Sequence, residues 1–341
     1  MTSPGSSRPR SLDDTVTSLQ GPGELVAAVP VLLGFHPERS LVLIAVHGPR
    51  LRSVGLTLRA DLPPLGADPT AVSDVAAVAA GHLVEAAPPG PLGGAVVVVD
   101  PGGPARADVV DAVLAALAAA GVEAGTCVWA ESTAAGARWG CFPPCGCAGT
   151  VPDPSSTPLA ARAVAAGTVV RSSREELRRS VGPTDVDRLR RRGLLLDREL
   201  DERARARDLA ACLRTLDSAL VAAADGRLQV DDELVLDMAV ALQVPAVRDR
   251  ALRECVGERA AAAEQLWAAL ARETPGPEAA EPAALLAVAA LGRGDGALAR
   301  IALERAQDAW PGHHLGAALD AALADGFGPD QVRAWLADAP W

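Results

Sequence analysis

The sequence predicts an α/β domain with a mixed sheet, followed by an all-helical, weakly tetratricopeptide-like domain. In residues 21–182, apolar blocks of strand length alternate with segments of helical periodicity. After the Gly182-Pro183 pair, only helical patterns remain in residues 183–341. The 341 residues exceed the usual size of a single hydrophobic core, so two domains are expected.

A helix, a rigid turn and a hairpin are predicted at the start of the α/β domain. Apolar residues at positions 25, 26, 29, 32 and 33 share one helical face, and Gly34 is placed to end that helix. Pro37 fixes its own φ and restricts the residue before it, so a defined turn follows. Residues 41–46 are uniformly apolar, which is typical of a strand buried on both faces. Residues 53–60 alternate between apolar and polar types, which predicts an antiparallel partner strand.

The next segments predict a parallel component in the sheet. Asp68 and Pro69 form a suitable N-cap and first turn for a helix. Residues 95–100 are a second buried strand, and a helix over residues 105–120 follows, with Gly121 as its left-handed cap. A strand, helix, strand order predicts a right-handed crossover between parallel strands.

Residues 122–131 and 137–142 are predicted to form a second hairpin. A turn centred on Ala134 would set its register, and a slip of one residue would move every side chain to the other face.

This register places Trp129 opposite Trp139 and Cys127 opposite Cys141. The tryptophan pair is interpreted as core, because large aromatic side chains dominate burial.

The chain from Pro143 to Pro158 is rich in Pro, Gly and Cys and is expected to be a loop. Together with Cys127 of the hairpin, the Cys-rich segment 141–147 offers four thiolates for a zinc ion, which would fasten the loop to the hairpin. These candidate metal ligands are Cys127, Cys141, Cys145 and Cys147. The spacing is not that of a C-x2-C knuckle, so a redox pair at Cys127 and Cys141 and a set of free thiols remain alternatives.

A second group of candidate site residues lies around the predicted strand ends. Open α/β sheets bind ligands beyond the carboxyl ends of their strands, and Asp100 and the Gly102-Gly103 loop lead there into a helix N-terminus. This arrangement favours an anionic or polar small molecule. The alternative is that Asp100 only caps a helix.

Phe35, His36 and Ser40 complete this candidate ligand site, just before the first buried strand. In a purely parallel sheet they would lie on the rim opposite Asp100, which argues against one catalytic site. The structural alternative is that His36, Pro37 and Ser40 only shape a turn.

The second domain is predicted to be an array of helical hairpins. Residues 184–224 form a charged helical stretch in which Gly193 is a candidate break. Residues 284–311 fit one tetratricopeptide unit ending at Pro311, but no 34-residue period repeats upstream. Its small and large positions are Ala287, Ala299, Leu303 and Ala306. Residues 292–296 are predicted to be an interhelical turn, because no strand precedes this glycine-rich segment.

Several motifs occur in a fixed order along nearly the whole chain. They are Leu32 to Pro37 with Ser40-Leu41-Val42, the Gly-x-Thr-x-Arg-x-Asp strand at residues 55–61, the Trp139 strand, the Cys-rich turn with Gly149 to Pro152, and Gly294 to Ala297. Together they resemble a bacterial family of high-GC Gram-positive genomes, the domain of unknown function 4192. The resemblance implies nothing about activity. The chain departs from the family pattern where Cys145-Gly146-Cys147 replaces two adjacent cysteines.

Composition excludes several functions. The chain has no Lys and no Tyr, which excludes P-loop, Schiff-base and kinase lysines as well as tyrosine acids and bases. The net charge of −11 argues against binding to nucleic acid or anionic membranes, and no apolar run approaches the ~20 residues that span a bilayer. Residues 1–20 lack the apolar core of a signal peptide, so a disordered leader and a cytoplasmic location are expected.

The one basic concentration, residues 188–192 with Arg203, Arg205 and Arg207, has many acidic neighbours, which predicts a salt-bridged helix surface. No serine nucleophile elbow and no metalloprotease histidine spacing occurs, so the sequence leans towards a non-enzyme. The leading hypothesis is an intracellular interaction or regulatory protein with a protein partner on its helical domain. The alternative is an α/β domain that binds, or hydrolyses, a small polar ligand near Asp100.

Overall fold

A computed structural model describes residues 21–47, 53–85, 92–103, 106–143, 145–165, 169–206, 208–324 and 329–338. The expected leader, residues 1–20, lies outside these ranges. The chain forms two compact units that divide between Val170 and Arg171. The sequence placed this division near Gly182, but the helix before Gly182 packs on helices of the second unit. Among the described helices, none has both the length and the apolar character needed to cross a membrane.

The first unit is a six-stranded mixed sheet with helices, as the sequence predicts. Its elements are α1 (Pro22–Leu33), β1 (Ser40–His47), β2 (Ser53–Asp61), α2 (Pro69–Glu85), β3 (Leu92–Val99), α3 (Ala107–Ala119), β4 (Glu123–Ala130), β5 (Arg138–Cys141), β6 (Ala148–Thr150) and α4 (Pro158–Ala165). The strand order is β2-β1-β3-β4-β5-β6, with β3 and β4 parallel and every other pair antiparallel. The short strand β6 lies in the segment that was expected to be a loop.

The predicted entry into the sheet is confirmed. Helix α1 ends at Gly34, whose φ of 73° is the left-handed conformation that glycine adopts without steric cost. Residues 40–45 of β1 are buried, because β1 lies between β2 and β3 and is covered on both faces. The caps at Asp68 and Gly121 also form, with the Thr70 N–H donating to Asp68 Oδ1 and the Val122 N–H to the Leu117 carbonyl.

The predicted register of the second hairpin is wrong by one residue. Trp129 pairs with Gly140, and Trp139 pairs with Ala130. The turn is not centred on Ala134, because the Glu131 N–H donates to the Arg138 carbonyl and closes a six-residue connection. The two tryptophans therefore lie on opposite faces of the sheet.

Each tryptophan covers a glycine where a larger side chain would not fit. A Cβ atom at Gly140 would lie 2.8 Å from the indole Nε1 of Trp129. A Cβ at Gly23 of α1 would lie 2.8 Å from Nε1 of Trp139, and one at Gly149 would lie 3.1 Å from the same ring. The glycines thus let the indoles pack directly on backbone, which fixes strand register and the position of α1.

All regular elements of the second unit among its described residues are helices. Its helices are α5 (Arg174–Val181), α6 (Val186–Ala206), α7 (Leu209–Ala224), α8 (Asp232–Ala241), α9 (Pro245–Val256), α10 (Ala260–Glu273), α11 (Ala280–Arg293), α12 (Gly296–Ala309), α13 (His314–Ala324) and α14 (Pro329–Asp338). The candidate break at Gly193 is wrong, because α6 continues through this residue to Ala206. A Cβ at Gly193 would approach Pro275 to 4.0 Å, so glycine there gives room for a neighbouring segment.

Helix α11 is the core of the second unit. Ala280 and residues 282–291 are all buried, since α11 contacts α9, α10, α12, α13 and α14. The positions assigned to a tetratricopeptide unit are buried as well, and Gly294 (φ 88°) forms the predicted turn between α11 and α12. Repetition of this unit along the chain stays a prediction.

The arginines of α6 form ion pairs within the unit, as predicted. Arg188 pairs with Glu273 at 2.8 Å, and Arg203 pairs with Glu233 and Asp237 at 2.8 and 2.9 Å. Arg207 lies outside the described residues.

Arg192 is the buried member of this series, with 3% of its side chain exposed. Its Nε donates to Asp232 at 2.8 Å, and its NH1 to the Glu273 carboxylate at 2.6 Å and to the Glu273 carbonyl at 2.8 Å. Its NH2 donates to the Val230 carbonyl at 2.7 Å. One guanidinium therefore joins α6 to the end of α10 and the start of α8.

Candidate functional site

The antiparallel pairing of β1 with β3 brings two predicted groups to the same edge of the sheet. Ser40 pairs with Val99 of β3 and with Asp61 of β2. The segment that precedes β1, with His36, therefore lies at the edge where β3 ends at Asp100. His36 and Asp100 therefore do not lie on opposite rims of the sheet, as they would if the sheet were purely parallel.

His36 is half-buried at this edge and is held by the loop after β4. Its Nδ1 lies 2.8 Å from the hydroxyl oxygen of Thr133, whose side chain is buried. Burial lowers the pKa of His36, because the charged imidazolium loses hydration. Sequence reasoning missed Thr133, which becomes a neighbour only through sheet pairing. Phe35, the other predicted residue of this turn, is buried.

Ser40 is fully buried and its hydroxyl is used within the fold. The hydroxyl donates to the Glu38 carbonyl at 2.7 Å and accepts from Arg59 Nε at 2.9 Å. The Arg59 guanidinium also pairs with Asp61. The geometry supports a role for Ser40 in shaping the turn, since its side chain is fully buried and both of these hydrogen bonds lie within the fold.

Asp100 shapes the loop that leads to α3. Its Oδ1 accepts the Gly102 N–H at 3.0 Å, and its carbonyl accepts the Gly103 N–H at 3.0 Å. Gly103 has a φ of 85°, which a residue with a side chain rarely adopts. These contacts form a turn, and they are not the helix cap given as the alternative for Asp100, because Arg106 is the N-cap residue of α3.

Arg106 is a further buried residue of this loop that the sequence did not single out. Its side chain is 2% exposed, and NH1 donates to the Pro63 carbonyl at 2.8 Å. Its NH2 has no hydrogen-bond partner among the described residues. The guanidinium thus anchors the start of α3 to the chain after β2.

Three cysteines lie close together at the end of β5 and in the connection that leads to β6. The sulfur atoms of Cys141, Cys145 and Cys147 all lie within 4.8 Å of one another. The Cys141 N–H donates to the Cys147 carbonyl at 2.7 Å, which closes the loop at the base of the hairpin. Gly146 between the exposed cysteines has a φ of 63°, a left-handed turn that directs both thiols to one side.

Cys127 does not join this group, contrary to the four-thiolate hypothesis. Val128, and not Cys127, pairs with Cys141. Because successive residues of a strand point to opposite faces, the Cys127 side chain lies on the face covered by α2 and α3. The same geometry rules out the proposed redox pair of Cys127 and Cys141.

The three thiols influence one another's protonation. Burial raises the pKa of Cys141 to about 12, and the nearby thiol of Cys145 contributes to this rise. The pKa of Cys145 is lowered by hydrogen bonds with the backbone and the side chain of Cys147 and with the side chain of Cys141. A thiolate is therefore easiest to form at the exposed Cys145, and a metal that binds all three must displace the remaining protons.

A family model described as "Domain of unknown function (DUF4192)" matches residues 22–330. No curated protein and no solved structure matches the chain.

Proposed function

Since the chain belongs to the DUF4192 family, to which no activity is assigned, we propose from its geometry that the α/β unit binds a thiophilic divalent metal. The ligands are Cys141, Cys145 and Cys147, and zinc is the best match for this donor set. The role is one of binding, without catalysis.

The convergence of three sulfur atoms carries this proposal. Zinc–sulfur bonds are about 2.3 Å long, so sulfurs in a tetrahedral site are about 3.8 Å apart. The sulfur atoms already lie within 4.8 Å of one another. Rotation of the two exposed side chains is enough to close the difference, because Cys145 and Cys147 are not packed in the core.

Three thiolates also argue against a hydrolytic metal. Their combined charge exceeds that of a divalent ion, so a bound water would be acidified less than in a site of neutral histidines. The metal would instead hold the loop 141–147 against the β5–β6 hairpin.

Metal content tests the proposal. We expect the full chain, purified without added metal, to retain about one zinc ion. Cys145→Ser should lose most of it, because one of three ligands is removed at an exposed position. Cys127→Ser is the matched control and should retain the wild-type zinc content, since Cys127 lies on the opposite face. A folded wild-type chain that is free of metal and takes up none would contradict the proposal.

A second candidate function is protein binding by the helical unit, and Trp310 favours it. This side chain is 53% exposed, directly after α12. Its ring centroid lies 5.6 Å from that of His313, which is buried and bonded to Glu281 at 2.9 Å. An exposed tryptophan on a firmly held support is typical of interface hot spots.

Affinity capture from the native cell tests this second function. Trp310→Ala should reduce recovery of a specific partner at least about tenfold, the effect of losing about 1.4 kcal/mol of binding free energy. Val186→Ala, at a residue that is 70% exposed on α6, is the control and should leave recovery unchanged. Equal recovery with both variants would exclude Trp310 as a binding residue.

The small-ligand alternative near Asp100 receives less support. The described polar groups there bond mainly to one another and to backbone, as at Ser40 and Asp100. This favours a structural role for that edge.

A further inference from the structure

We propose that the candidate metal site is a redox switch, in which a small-molecule disulfide joins Cys141 and Cys147 in an internal disulfide and the metal leaves. This inference rests on the proposed metal-binding function and names its regulation. Formation of the disulfide itself needs no metal, so the two proposals fail separately. The position of Cys141 relative to Cys147 in the β5–β6 hairpin supports the inference.

Cys141 and Cys147 lie opposite each other in this hairpin. Strands β5 and β6 are antiparallel, and their last pair on this side is Gly140 with Ala148. One step further, the same register places Cys141 opposite Cys147, and the Cys141 N–H donates to the Cys147 carbonyl at 2.7 Å. The two cysteines therefore continue the ladder of the hairpin by one hydrogen-bonded position.

This position gives the backbone spacing that a disulfide requires. Directly opposite residues of a hydrogen-bonded antiparallel pair have Cα atoms about 5.5 Å apart. Disulfides most often join Cα atoms about 5.5–6 Å apart, so the bond forms without a shift of the strands. The sulfur atoms of Cys141 and Cys147 already lie within 4.8 Å of each other. Side-chain rotation is then enough to bring them to the bond length of about 2.05 Å.

Cys145 is the thiol that the disulfide leaves over. It lies in the connection between β5 and β6, where no strand pairing sets its backbone distance to either of the other cysteines. Of the three possible pairs, only Cys141 with Cys147 has the spacing that the hairpin itself imposes. We therefore expect Cys145 to remain a thiol.

The oxidant reaches the pair through Cys147, which is exposed. The Cys147 sulfur attacks one sulfur of a small disulfide RSSR, so that a mixed disulfide forms and RS⁻ leaves. The Cys141 sulfur, after loss of its proton to water, attacks the Cys147 sulfur, and the second RS⁻ leaves. The cysteine pair loses two electrons and two protons, and RSSR becomes two molecules of RSH.

Oxidation that starts at Cys145, which is also exposed, leads to the same product. The Cys147 sulfur attacks the mixed disulfide at Cys145 and expels the second RS⁻. The Cys141 sulfur then attacks Cys147 and releases Cys145 as a thiolate, which takes up a proton.

The disulfide removes two of the three proposed metal ligands. The thiolate is the form of cysteine that binds metals, and protein zinc sites have at least three protein ligands. Cys145 alone therefore does not retain the metal. Reduction by RSH restores the site, so the metal-bound form and the disulfide form exclude each other.

Equilibration of the full chain with reduced and oxidised glutathione, in the presence of a chelator, tests the inference. After acid quenching, one reagent alkylates the free thiols, and a second reagent alkylates those released by reduction. Fragmentation in a mass spectrometer assigns each label, and intact mass separates an internal disulfide from a glutathione adduct. The high pKa of Cys141 slows its attack at neutral pH, but an equilibrium measurement does not depend on this rate.

We expect Cys141 and Cys147 to be oxidised together. The equilibrium constant for their disulfide should be at least about tenfold higher in the folded chain than in urea, because the hairpin has already closed the loop between them. Cys145→Ser and the control Cys127→Ser should form the same disulfide, whereas Cys147→Ser should leave Cys141 without an internal partner. One equivalent of zinc should lower the oxidised fraction of the wild type, because zinc binds only the reduced form.

The outcomes separate the two proposals. Equal equilibrium constants in the folded and unfolded chains, or a disulfide that joins Cys145 instead, would overturn the inference and leave metal binding intact. An oxidised chain that keeps its zinc would overturn the inference as well. A reduced chain that takes up no zinc would overturn the proposed function and the release of metal, even where the Cys141–Cys147 disulfide forms.

Discussion

Arg192→Met is expected to lower the free energy of unfolding of the helical unit by about 3 kcal/mol. The guanidinium is buried and donates to two carboxylates and two carbonyls. Methionine fills similar volume but leaves the carbonyls of Val230 and Glu273 without these donors. Asp232 and Glu273 keep Arg191 and Arg188 as partners, so the cost stays at the low end for a broken buried ion pair.

Denaturant unfolding of the full chain, followed by helical circular dichroism, measures this effect. Arg190→Met is the matched control, because Arg190 is 72% exposed on the same helix and pairs only with the exposed Asp187 among the described residues. Its effect should stay within about 0.5 kcal/mol. A loss below about 1 kcal/mol for Arg192→Met would contradict the role of Arg192 as the joint between three helices.

Gly140→Val is expected to destabilise the α/β unit by about 1–3 kcal/mol. A Cβ at this position meets the Trp129 indole at 2.8 Å, and valine adds two methyl groups beyond it. The indole is partly buried and packs against the core of the sheet, so moving it aside costs packing contacts.

Gly125→Val is the control within the same sheet. A Cβ at Gly125 has no heavy atom within 4 Å, so the change should stay within about 0.5 kcal/mol. Thermal unfolding monitored by tryptophan fluorescence measures both variants. If both behave alike, the pairing of Trp129 with Gly140 is wrong.

Local patterns predict most elements of this chain. The uniformly apolar β1, the left-handed glycine after α1 and the Asp68 cap depend on neighbouring residues, so periodicity and turn chemistry find them. The mixed sheet follows from the strand, helix, strand order.

The errors concern contacts that the local sequence does not determine. The hairpin register depends on the length of the Glu131–Arg138 connection and on the Gly136 N–H, which donates to the Val151 carbonyl beyond β6. Strand β6 has three small exposed residues and therefore no periodicity to detect. Only the pairing of β1 with β3 shows that the groups around His36 and Asp100 lie at the same edge of the sheet.

The proximity of Cys141, Cys145 and Cys147 has a local cause, because the left-handed Gly146 and the closing hydrogen bond at Cys141 belong to one short loop. Metal binding by these cysteines stays a proposal. The hypothesis that Cys127 belongs to this group depended on the predicted register of the second hairpin, and that register is wrong.

X-ray absorption at the zinc edge, on the full chain loaded with one equivalent of zinc, tests the account most directly. It counts the sulfur neighbours of the metal and measures their distance. The account predicts three sulfur ligands at about 2.3 Å and one lighter ligand, unchanged in Cys127→Ser and with fewer sulfurs in Cys145→Ser. A shell of nitrogen and oxygen alone, or four sulfurs that fall to three in Cys127→Ser, would contradict it.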